Sequence, residues 1–218
     1  MLKKRVIFTL LYDNGSFMLS RNFRLQKVGD LQWLKKNYNF SELAFSIDEL
    51  VLLDVTRTKR DHNKFIDHLR NLSEVCFIPI AAGGGIRDVK LAHRLVNNGA
   101  DKIVINTLIG QSLETIRDIV AELGSQCVLA SVDAKKIKND YMVYTENGTL
   151  QQSFSLQEWL YKLACFAARE CPSMLNIVEL GTAAGISGMY LLAGASEESE
   201  KLKLFTFEGS VVTVLICK

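Results

Sequence analysis

Short apolar runs rich in β-branched residues alternate along this chain with stretches in which apolar residues recur every three or four positions. That alternation limits the fold more than any other feature. The runs are Arg5 to Leu11, Leu50 to Val55, Cys76 to Ala81, Lys102 to Asn106, Cys127 to Asp133 and Leu175 to Leu180. The periodic stretches are Leu31 to Phe45, His62 to Val75, Val89 to Asn98, Leu113 to Leu123 and Leu156 to Glu170. Runs that are apolar on both faces read as strands buried on both faces, and alternation with helices makes such strands parallel. Asp30, Asp61, Asp88 and Ser112 stand where helix N-caps belong, and Gly99 and Gly124 where helices stop. The unit repeats roughly every 25 residues, and six units fit either an open doubly wound sheet or most of a closed barrel. After Leu180 the pattern degrades: residues 181–200 are rich in glycine, alanine and serine, and Lys203 to Phe207 and Ser210 to Cys217 are the last strand-like runs.

The 218 residues fit one domain, and no linker separates two. A net charge of +2 gives no electrostatic reason to expect nucleic acid, so small ligands are the expected partners. Val6 to Leu11 is about half the length of a membrane-spanning helix and reads as a first strand, not an anchor. The five cysteines, Cys76, Cys127, Cys165, Cys171 and Cys217, are odd in number and scattered. They suit a reducing cytoplasm and small buried apolar roles, and they have neither disulfide nor metal-ligand spacing.

Ala81-Ala82-Gly83-Gly84-Gly85-Ile86-Arg87-Asp88 follows a predicted strand and precedes a predicted helix. Three glycines remove the Cβ atoms that would hold an anion away, so backbone N–H groups can converge on a phosphate. The bland reading is a tight turn. The run is not a G-x-G-x-x-G fingerprint and lacks the Walker lysine, so no nicotinamide or nucleotide cofactor is expected. Asn106 and Thr107 end the next strand and either complete the same anion site or cap a turn.

Asp54 and Asp133 each close an apolar run, where an acid is positioned for proton transfer. The alternatives are a loop cap, or for Asp133 an ion pair with Lys135. His62, His68 and His93 sit on predicted helices without companions at metal spacing, and read as surface or packing residues; no metal site is expected. No serine or cysteine nucleophile lies in an elbow motif, which argues against a hydrolase.

Lys4-Arg5-Val6-Ile7, Asn22-Phe23, Val28-Gly29-Asp30, Asp48 to Asp54, Gly83 to Arg87, Gly99 to Lys102, Gly124 to Cys127 and Val132-Asp133-Ala134-Lys135 together resemble the cyclase subunit of imidazole glycerol phosphate synthase. The likeness is strong over residues 1–170 and faint beyond. It implies an α/β fold, a (β/α)8 TIM-type barrel over residues 1–218, short by about one unit and degenerate after about residue 180, since a full barrel takes about 250 residues. It also implies a heterodimer with a glutaminase that supplies ammonia for a two-phosphate substrate of histidine biosynthesis.

By the same resemblance two acids move protons, at the ends of the first and fifth strands. Asp133 matches the second, whereas the first falls at Leu11, which cannot exchange a proton. Gly83, Gly84, Gly85, Asn106 and Thr107 match the first phosphate site, with Asp54 a further substrate-site candidate. Thr9 stands for the family's first-strand cysteine and Leu19 for its loop lysine. Thr182 to Ile186 replaces an acidic stretch, and Ala193 to Ser196 is what remains of the second phosphate loop. Arg5, Glu49 and Lys102 match three of four charged positions of an ammonia gate, while the fourth, near Leu175 or Asn176, has no acid; a purely structural ion pair is the alternative. The Leu10-Leu11 pair also resembles a paralogous branch that passes ammonia to an enzyme amidating a surface-sugar precursor. A non-catalytic barrel that docks the glutaminase is the remaining alternative.

Overall fold

The first apolar run folds as strand β1 (Ile7–Asp13), then turns back through Asn14-Gly15 into β2 (Ser16–Arg21), which pairs with β3 (Arg24–Gly29). In the computed structural model, residues 6–21, 23–43, 45–138, 140–170, 175–180, 202–207 and 213–217 are described. Two compact units divide the chain, residues 1–104 and 105–218. The β1–β2 turn has φ of 43° at Asn14 and 97° at Gly15, the left-handed pair that a two-residue hairpin with native twist demands. This hairpin extension was not expected, although Asn-Gly between apolar residues is its signal.

Next come α1 (Leu31–Asn37) and α2 (Phe40–Leu43), where a single helix over Leu31 to Phe45 was predicted. Asn37-Tyr38-Asn39 are weak helix formers, and Tyr38 takes an extended conformation that sets its ring 5.6 Å from Phe8 and 6.5 Å from Phe40. Strand β4 (Glu49–Asp54), α3 (His62–Ser73), β5 (Ile80–Gly83), α4 (Val89–Val96) and β6 (Lys102–Ile105) complete the alternation. Strand β5 starts four residues later than predicted. Pro79 has no N–H for a ladder and is confined to the strand's entrance, while Cys76 N still bonds back to Leu72 O at the end of α3. The sheet of this unit runs β6-β5-β4-β1-β2-β3, the first four strands mutually parallel.

Register fixes the faces. Ile7 to Tyr12 pair one for one with Glu49 to Asp54. Tyr12 packs its ring 5.2 Å from Phe65 and 5.0 Å from His68, both on α3. By the two-residue period of strands, Leu10, Tyr12, Leu50, Leu52 and Asp54 therefore face α3, and Thr9, Leu11, Glu49, Val51 and Leu53 face the other way. Phe65, Leu69 and Leu72 of α3 and Leu95 of α4 are fully buried and form the core on the helix side. His68 is thus a packing residue, as expected. Asp30, Asp61 and Asp88 accept from the N–H groups of Trp33, Lys64 and Leu91, at 2.8, 3.1 and 2.7 Å. All three are the predicted caps.

In the second unit Ser112 caps α5 (Leu113–Leu123), accepting from Thr115 N at 3.2 Å, and Gly124 ends it at φ 83°. Strand β7 (Val128–Ala130) is shorter than the predicted Cys127 to Asp133, because Asp133 opens a new element. Strands β8 (Asp133–Ile137), β9 (Asp140–Thr145) and β10 (Leu150–Ser155) form a three-stranded antiparallel sheet. The β9–β10 turn runs left-handed through Glu146, Asn147 and Gly148, with φ of 50°, 56° and 74°. Helix α6 (Leu156–Glu170) has the predicted bounds and opens on a reciprocal cap, Glu158 N to Ser155 Oγ at 3.3 Å and Ser155 N to Glu158 Oε2 at 2.8 Å.

Strands β11 (Leu175–Leu180), β12 (Leu202–Phe207) and β13 (Thr213–Cys217) join β7 in the order β12-β11-β13-β7. Strand β12 is parallel to β11, but β13 is antiparallel to both β11 and β7, which corrects the expectation of parallel strands throughout. Only positions 208–212 separate β12 from β13. A parallel return needs a crossover of about a dozen residues or more.

Candidate functional site

The glycine run leaves β5 between two neighbouring strands of the first unit. A Cβ on Gly83 would overlap the carbonyl oxygen of Val104, and one on Gly84 the carbonyl oxygen of Asp54. Gly84 and Gly85 also hold φ of 112° and 71°, where side chains are strained. Steric need therefore accounts for glycine at these positions. A Cβ on Gly85 would meet Arg60 Cδ at 2.8 Å, so an arginine side chain lies directly against the loop.

Arg60 was not singled out by its sequence context, and neither was Tyr12. Both surround Asp54, whose side chain is 1% exposed and turned toward α3 with Tyr12. Asp54 Oδ1 accepts from Thr56 N at 2.9 Å, while Oδ2 stands 3.8 Å from Arg60 Nε. Among the described residues, Oδ2, Arg60 Nε and the Tyr12 hydroxyl are buried without a hydrogen-bond partner. Burial pushes the Asp54 carboxyl upward, opposed by the Thr56 hydrogen bonds and by the charges of Arg60 and His62. Burial, reinforced by the Asp54 charge, raises the Tyr12 phenol to about 12. An aspartate at a strand end carries no label for its face; the strand parity counted from Tyr12 does.

In the second unit Asn106 precedes a 3-10 turn over Thr107–Gly110. Removal from water raises the Asp133 carboxyl to about 6, against the pull of the Asn106 side chain and of the Lys135 charge. Asp133 thus lies near neutrality, the range a general acid or base needs. Lys135 lies 4.1 Å from the centre of the Tyr144 ring and also bonds the Gly148 carbonyl. Thr107 Oγ1 accepts from Glu146 N at 3.2 Å, so the hydroxyl is tied to the β9–β10 turn while keeping its own proton to donate. Of the expected site residues, Gly83, Gly84, Gly85 and Asp54 gather in the first unit, and Asn106, Thr107 and Asp133 in the second.

Lys102 Nζ bonds both carboxylate oxygens of Glu49, at 3.1 and 3.2 Å. This pair sits at the N-terminal ends of β6 and β4, on the sheet face opposite α3. Leu11 and Thr9 share the strand parity of Glu49, so the acid that the resemblance calls for would have faced that side. Leu19 stands on β2, 63% exposed. Arg5, Thr182 to Ile186 and Ala193 to Ser196 lie outside the described residues. Among the described residues, no group of three His, Cys, Asp or Glu is placed to hold a metal ion, and no helix is long and apolar enough to cross a membrane. Cys76 and Cys127 are in no disulfide among the described residues.

Residues 29–193 match the family described as histidine biosynthesis protein. The chain is 48% identical over 158 residues to a provisionally named imidazole glycerol phosphate synthase subunit hisF2 of Parasynechococcus marenigrum, a match covering 72% of this chain and 59% of that protein. It is 34% identical over 194 residues to the imidazole glycerol phosphate synthase subunit HisF of Prosthecochloris aestuarii, covering 88% and 75%. With the HisF subunit of Flavobacterium psychrophilum the identity is 36% over 160 residues, covering 73% and 62%. The chain thus spans less than two thirds of the first and third of these relatives. On this match the chain belongs to the histidine biosynthesis protein family, as a HisF-like member with the TIM-barrel fold class of that family.

Proposed function

We propose that this chain works as a HisF-like cyclase subunit that takes ammonia from a glutaminase partner and uses it on a phosphorylated ribose compound in the cytoplasm, with residues 1–218 acting as one barrel domain. The observation that carries this reading is Asp133, an aspartate that burial raises to about 6 at the head of β8. Such an acid both gives and takes a proton at physiological pH. Backbone N–H groups of the Gly83 to Gly85 turn in the first unit hold a phosphate ester, and Asn106 and Thr107 of the second unit are further phosphate-binding residues. Arg5, Glu49 and Lys102 gate the ammonia path, and no cofactor or metal takes part.

Partner docking has support at the strand entrances of the first unit. Val6, Phe45 and Phe77, just before β1, β4 and β5, are 55%, 92% and 83% exposed. Three large apolar groups at one end of successive parallel strands suit a protein interface better than open water.

Leu11 favours a second reading, in which a single acid suffices because ammonia is handed on for nucleotide-sugar amidation and no imidazole ring closes here. The deciding experiment mixes the chain with a HisF-partner glutaminase and follows glutamine turnover, then tests rescue of a histidine auxotroph. Faster turnover with rescue supports the cyclase, and faster turnover without rescue supports the sugar branch or a non-catalytic docking barrel. No acceleration removes both.

A further inference from the structure

A cavity of about 500 Å³ opens beside the start of α3, away from Asn106 and Asp133 in sequence and lined by Lys59, Arg60, Asp61, His62, Asn63 and Arg94. Three permanent cations, Lys59, Arg60 and Arg94, face it with one carboxylate. That carboxylate, Asp61, is already engaged by Lys64 N at 3.1 Å. Arg94 bonds Asn63 Oδ1 at 2.6 Å through one nitrogen, which leaves most of its guanidinium fork for another acceptor. Arg60 is 17% exposed, and its Nε finds no hydrogen-bond partner although Asp54 stands 3.8 Å away. Among the described residues Lys59 forms no ion pair.

Like charges gathered around one concavity repel, and a multidentate oxyanion relieves the repulsion while meeting the planar forks of the two arginines. The volume falls in the range of small-molecule sites, about 300–1,000 Å³, larger than a bare phosphate requires. We propose that this cavity is a second anion site, which binds the phosphoryl group of a small phosphorylated metabolite between Arg60 and Arg94. Arg60 also rests on Gly85.

The test is a titration of the full chain with inorganic pyrophosphate, followed by backbone amide shifts. The expected result is saturable movement of the Lys59 to Asn63 amides, weakened about tenfold or more by Arg94→Gln and only partly restored by Arg94→Lys, which keeps the charge but not the planar fork. Should Arg94→Gln not fold, Lys59→Gln at an exposed position gives the same reading. Absence of saturable shifts at Lys59 to Asn63 in the unmodified chain, or shifts indifferent to these substitutions, overturns the proposal. The readout is local, so a glycine turn silent toward pyrophosphate counts against the phosphate role of Gly83 to Gly85 and not against this cavity.

Discussion

Replacing Asp133 with Asn measures the cost of keeping an ionisable carboxyl out of water. Its carboxyl rises from 3.8 to about 6 in the fold, and roughly two pH units correspond to about 3 kcal/mol between the charged and neutral forms. Because the folded value lies above the unfolded one, the neutral acid is favoured by folding. The associated stability is fully present below pH 3.8 and is lost as pH climbs through about 6. Above pH 7 the native chain bears the whole penalty, and Asp133→Asn, which cannot ionise, escapes it. The variant is therefore expected to be more stable at pH 7.5 by up to about 3 kcal/mol and indistinguishable near pH 3.8. Urea unfolding across this range reports it through Trp159, which stacks on Phe154 at 4.6 Å in the same unit. Trp33→Phe removes the only other indole. Stability curves for the two proteins that stay parallel from pH 4 to 7.5 refute the reasoning.

Other substitutions probe the remaining links. Gly84→Ala forces a side chain onto the Asp54 carbonyl at φ 112° and should cost more than about 1 kcal/mol, whereas Gly110→Ala, whose Cβ meets only Trp159 at 3.8 Å, should be close to neutral; thermal melts compare them. Asp88→Ala deletes the cap on Leu91 N and should cost about 1 kcal/mol in urea unfolding. Phe45→Asp with Phe77→Asp should leave the melting temperature unchanged, given their exposure, and abolish the stimulation of a glutaminase. Cys76 is 3% exposed and its thiol is raised by burial, so alkylation followed by mass spectrometry should label it more slowly than Cys165 in the folded chain.

Leu11 cannot exchange a proton, whereas Asp133 carries an ionisable carboxyl raised to about 6. The relatives named as synthase subunits extend beyond the matched segment. Activity assays on this chain with a glutaminase therefore speak directly to whether one acid, Asp133, is enough.

What depends on neighbours within one turn was readable from the order of residues. Asp30, Asp61, Asp88 and Ser112 cap because a side-chain oxygen reaches an N–H three residues ahead whatever the rest of the chain does. Helices Leu113–Leu123 and Leu156–Glu170 and strand Leu175–Leu180 have the bounds their periodicity predicts. The motifs of the first 170 residues likewise announced the family. Partners far apart in sequence decided the rest. Asp54 faces α3 because Tyr12, 42 residues earlier, sets the strand register, and Arg60 reaches Gly85 across 25 residues. Strand β13 runs antiparallel because its connection is short. Burial raises the Asp133 carboxyl to about 6, and desolvation is a property of everything packed nearby, which no local stretch of sequence encodes.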